Sequence, residues 1–150
     1  MVQTRTAPGA QSSVSDAAVT GLLHGVVAGG AMAIAMLITG VLTSTSPADL
    51  FISFGPAGGS SSPLVGALSH LAVSAIYGMV FALIWRSISW RSNSPALALI
   101  CGLIYAGSLY LVAMLVLLPS VQSPMLGVPV PFAVGHLVYG LALGLLAKRA

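Results

Sequence analysis

Residues Leu64 to Trp85 read LVGALSHLAVSAIYGMVFALIW, a run without a single charged side chain. A membrane-spanning helix needs roughly twenty consecutive apolar residues, and this run reaches that length. Ser62-Pro63 ahead of it supplies a start, because proline suits the first helical position. Trp85-Arg86 and Trp90-Arg91 follow, the aromatic and basic pairing of a membrane-water boundary. Inside the run sits His70, and an imidazole in hydrocarbon is costly enough to be a functional-site hypothesis by default.

Three similar runs complete the chain, over about residues 17–42, 96–118 and 132–147. The sequence therefore predicts an all-α fold, a four-helix transmembrane bundle of up-down-up-down topology. It forms one domain over residues 17–150, with residues 1–16 as a flexible cytoplasmic tail. Ser15 or Asp16 is placed to cap the first helix. The first span is longer than a bilayer requires and predicts tilt, whereas the fourth is short and predicts a start inside its loop or local thinning.

Composition agrees with this. Of 150 residues, 57% are hydrophobic and 5% charged, with a mean hydropathy of +1.04. Soluble domains carry about 25% charged residues, so this chain cannot cover a water-facing surface. Five basic residues without a patch exclude a nucleic-acid partner. The single cysteine, Cys101, excludes an internal disulfide framework and a c-type haem attachment motif. The N-terminal residues are polar and lack the basic start of a signal peptide.

The basic residues also predict orientation. Arg5, Arg86, Arg91, Lys148 and Arg149 all fall at one side of the four spans, and the positive-inside bias makes both termini cytoplasmic. The loop over residues 43–63 carries an apolar island, Leu50 to Phe54, which is expected to dip into the interface. Gly21, Gly25, Gly29 and Ala33 recur every fourth residue and mark a close-packing face. A 2+2 internal repeat is suggested by the match of residues 23–30 with 100–107, and of the His and Tyr-Gly elements in the second and fourth spans. It pairs His70 with His136, and His24 with Cys101.

His70 and His136 lie early in spans of like direction, so both are expected in the outer leaflet. Two histidines on such helices suit axial ligation of haem b or a (bacterio)chlorophyll. Gly66 and Gly140 stand four residues from them and could admit a flat ring, while Tyr77 and Tyr139 could donate to a ligand or quinone oxygen. Measured from the Tyr-Gly pairs, the histidines are offset by about one turn, roughly 5 Å, which works against one shared metal and leaves separate partners open. The competing reading is structural: an intramembrane histidine that ties helices contributes under about 2 kcal/mol. His24 fits that role. The only carboxylates, Asp16 and Asp49, sit at or beyond helix ends, so a buried acid relay for transport is absent. No nucleophile elbow, phosphate loop or zinc spacing is present.

With Gly25 to Gly30, His70, Met114 to Pro119, His136-Leu137, Gly140 and Gly144 in place, the chain resembles a family of small uncharacterised four-helix bacterial integral membrane proteins. These have histidines early in the second and fourth helices. The resemblance implies a bacterial cytoplasmic membrane and carries no assigned activity. The resulting expectation is an accessory subunit of a respiratory or photosynthetic electron-transfer complex, with membrane lipid, other integral subunits and a tetrapyrrole or quinone as partners. A purely structural subunit is the alternative, and a small transporter or channel has less to support it. No enzyme activity of its own is expected.

Overall fold

A computed structural model describes residues 13–55, 62–89 and 94–147. Helix α1 (Val14–Leu42) is followed by a short helix α2 (Pro47–Ser53), and then by α3 (Pro63–Ser89). Helix α4 (Pro95–Val112), a π-helical turn (Ala113–Leu117) and the three-residue α5 (Leu118–Ser120) make one rod. A 3₁₀ turn (Pro124–Gly127) precedes α6 (Pro129–Ala147). The fold is an all-α bundle. Its four long helices, α1, α3, the Pro95–Ser120 rod and α6, are each long and apolar enough to cross a membrane.

The helix boundaries have local causes. The cap of α1 is Ser13, earlier than expected: its Oγ accepts from Asp16 N at 3.0 Å, and Asp16 Oδ2 accepts from Ser13 N at 3.1 Å. This reciprocal pairing is a capping box. Helix α3 runs on to Ser89 rather than stopping at Trp85, and Trp85 turns inward at 6% exposure instead of marking the interface. Arg5, Trp90, Arg91, Lys148 and Arg149 lie outside the described residues. The third span does not stop before Pro119. An α-helix there would drive the proline ring into the carbonyl four residues back, and the π turn relieves this by letting Leu118 N–H reach Ala113 O, five residues back.

Glycines decide how the helices cross. A Cβ on Gly78 of α3 would lie 2.6 Å from Gly25 N of α1. A Cβ on Gly140 of α6 would likewise lie 2.6 Å from Gly102 O of α4. Real Cβ atoms do not approach backbone that closely, so both crossings require a bare Cα. These pairs, Gly25 with Gly78 and Gly102 with Gly140, are the ones the internal repeat aligns. Helices α1 and α6 join the two hairpins, with Gly135 seated against Met32 and Met36. Helices α3 and α4 touch far less.

The exterior is apolar. Leu23, Val27, Ile34 and Ile38 of α1, and Ile100, Ile104, Leu111 and Leu115 of the third span, are all more than half exposed. In water this would be a large unfavourable surface; in a bilayer it is a lipid contact.

One end of the bundle is covered by α2 and the 3₁₀ turn, which touch each other. The apolar island is therefore helical, and it tucks inward rather than outward. Leu50 is 1% exposed, and Met125 of the 3₁₀ turn is 2% exposed. We refer to this as the capped end.

Candidate functional site

Beneath the cap lies a cavity of about 230 Å³, lined from α1, α3, α4 and α6 as well as from the cap itself. His70, Tyr77, His136 and Tyr139 all border it. The structure thus brings together four of the six residues singled out in the sequence. The other two lie elsewhere: the space beside Gly66 is filled by the backbone of Phe51, and the space beside Gly140 by Gly102 and Ala106. Both glycines serve helix approach and leave no slot for a ring.

The two histidines are held differently. His70 Nε2 donates to the carbonyl of Gly29 on α1 at 3.0 Å, and its ring stacks on Phe54 with centroids 4.4 Å apart. His136 Nδ1 donates to the carbonyl of Phe132, one turn earlier in its own helix, at 2.9 Å. Carbonyls only accept, so each neutral ring must carry its proton on the bonded nitrogen. The consequence is that His70 Nδ1 and His136 Nε2 are both acceptors with no hydrogen-bond partner among the described residues. Phe132 and Tyr110 pack edge-on against the His136 ring, at 4.3 Å and 5.6 Å, and hold its plane.

The tyrosines divide in the same way. Tyr139 donates to Ser74 O at 2.7 Å, and Tyr105 donates to Tyr77 O at 2.8 Å. Both hydroxyls tie other helices to α3. Tyr77 offers its side chain to the cavity, and no described residue bonds its hydroxyl. His24 and Cys101, half-buried beside Gly25 and Gly102, are outside the cavity.

Three contributors were not singled out in the sequence: Phe54, Tyr105 and Met125. Phe54 belonged to the apolar island, and an aromatic ending such an island is a usable signal for a plug. The roles of Tyr105 and Met125 depend on packing that no local pattern encodes.

A shared macrocycle requires one nitrogen of each histidine to face a common metal. His70 Nε2 is committed to Gly29, which leaves Nδ1, but the cavity of about 230 Å³ is smaller than the 300–1,000 Å³ of ordinary ligand pockets. The site as built does not fit a tetrapyrrole ligated by both histidines. Among the described residues no group of three or more His, Cys, Asp or Glu side chains could hold a metal ion. What the geometry does offer is a small, mainly apolar chamber, larger than the 150 Å³ that admits benzene, whose wall carries two imidazole acceptors, the Tyr77 phenol and several serines.

Fold and site define an integral membrane four-helix bundle with a small cavity under a helical cap. No family model, curated protein or solved structure matches the chain.

Proposed function

We propose that the protein is an accessory integral-membrane subunit of a respiratory or photosynthetic electron-transfer complex in the bacterial cytoplasmic membrane, and that its cavity holds the ring of a membrane quinol. The observation that carries this reading is His136, whose Nε2 is left as an acceptor in a chamber lined mainly by apolar side chains. An acceptor there calls for a ligand that donates, and a quinol hydroxyl does so where a quinone carbonyl does not. Tyr77 can serve the second oxygen. With both termini cytoplasmic, as the positive-inside bias argues, the cavity lies in the outer leaflet.

The test is calorimetric titration of decylubiquinol into the purified protein in nanodiscs. Saturable binding is expected, weakened about fivefold or more in His136→Ala, since a lost buried partner costs about 1–3 kcal/mol. Absence of binding, or binding indifferent to His136, overturns the reading. A reduced-minus-oxidised absorption spectrum of the same sample bears on the tetrapyrrole alternative. A haem or pigment band that disappears in His70→Ala and His136→Ala would restore it.

A structural role is the second reading, favoured by the three side-chain ties from His70, Tyr105 and Tyr139 to carbonyls on other helices. Failure of His70→Ala to assemble, in a protein that binds no quinol, would select it.

A further inference from the structure

Helices α3 and α4 are consecutive antiparallel spans, yet they make the sparsest contact of any adjoining pair of long helices joined in sequence. Across this seam Tyr105 bonds Tyr77 O, and its ring packs 5.4 Å from Phe81. This rung closes the seam below the cavity. One and two turns further toward the capped end, α3 presents Val73 and Ser69 while the third span presents Leu109 and Ala113. All four border the cavity. Val73 is nonetheless 48% exposed. One side chain that both lines the chamber and faces the exterior of a membrane helix marks an opening toward lipid.

The other candidate route is through the cap, where Val121 also borders the cavity at 48% exposure, but the centre of the cap is obstructed. Phe54 lies on His70, and Met125 is 2% exposed. Polar groups are also distributed unevenly along the cavity. His70, His136 and Tyr77 border the chamber, whereas the exit between α3 and the third span is framed by Val73, Leu109 and Ala113, with Ser69 its one polar side chain.

On the quinol reading of the site, we infer that the ligand enters from the bilayer through the half of the α3–α4 seam nearer the cap, and that it is a tailed amphiphile. Its ring occupies the chamber at His136, and its hydrocarbon chain leaves between Val73 and Leu109 to lie along the apolar outer face. The seam is therefore part of the binding site, and a tail adds affinity there.

The experiment compares decylubiquinol with duroquinol, a ring without a tail, on the protein in nanodiscs. Burial of only two methylenes in the seam gives the tailed quinol an advantage of roughly tenfold. Val73→Trp, which fills the seam, is expected to bring the affinities for the two quinols within about twofold of each other. Equal affinities in the wild type, or a tail preference untouched by Val73→Trp, overturn the seam inference and leave the quinol reading standing. If neither quinol binds, the functional reading fails and this inference falls with it. A decylubiquinol analogue with a diazirine at the tail end gives a second measurement that needs no variant. Labelling of peptides carrying Val73 or Leu109 supports the seam, and labelling confined to α1, α6 or the cap overturns it.

Discussion

Tyr139 of α6 donates its hydroxyl proton to the backbone carbonyl of Ser74 on α3, 2.7 Å away and fully inside the bundle. Ser74 is also the residue against which Gly29 of α1 rests, its Cβ 2.5 Å from where a Gly29 Cβ would stand. One turn of α3 is thus gripped from two sides. Tyr139→Phe keeps the ring and removes the bond. Hydrogen bonds between membrane helices average about 0.6 kcal/mol and reach about 1.7, so the substitution should lower stability by roughly 1 kcal/mol. Unfolding in detergent measures this. A loss above about 3 kcal/mol would mean that Tyr139 carries more than the tie.

The glycine crossings predict a sharp contrast between similar substitutions. Gly78→Ala and Gly140→Ala each force a methyl into backbone of the partner helix, and overpacking of this kind costs about 1–3 kcal/mol. Gly107 lies on the same rod as Gly102 but meets nothing within 4 Å. Gly107→Ala should be neutral, or stabilising by up to about 1 kcal/mol through helix propensity. Equal effects at Gly107 and Gly140 would contradict the crossing.

The two histidines should separate by phenotype. His70→Ala breaks a tie between α3 and α1 and removes the surface on which Phe54 stacks, so its main effect is expected on thermal stability. His136→Ala loses a bond within its own helix turn and the edge-on contacts of Phe132 and Tyr110, but no tie between helices through a hydrogen bond; it should cost about 1 kcal/mol of stability, less than His70→Ala, while losing quinol binding. Identical stability losses in the two variants would show that His136 is also a structural tie.

These contrasts locate what was legible in the chain. Four long apolar runs identify the spans because the bilayer demands a length and a polarity that hydropathy reports directly. The placement of His70 and His136 at one end followed from counting crossings. Their unequal hydrogen bonding was not legible, since it depends on which carbonyl each ring meets after packing. The glycines show the same limit. Gly66 and Gly140 read as room for a ligand, but a missing side chain is equally room for a neighbouring backbone, and Phe51 and Gly102 occupy it. The helix α2 was visible as an apolar island. Its burial was not, because that burial exists only where Gly66 lets it approach.

Pro119 links the shape of the cavity to stability. Without an N–H, and with a ring that would strike the carbonyl four residues earlier, it favours the wider turn over Ala113–Leu117. Ala113 and Leu118, the residues whose backbone closes that turn, both line the cavity. Pro119→Ala restores the donor and lets the α ladder resume, which shifts the helix face beyond the turn by about 100° per residue removed. Leu118 would then leave its place in the wall. The variant is expected to melt higher, since proline inside a helix costs about 3 kcal/mol relative to alanine, and to bind decylubiquinol more weakly. Parallel melting and calorimetry decide it. Tighter binding together with higher stability would show that the π turn plays no part in shaping the site.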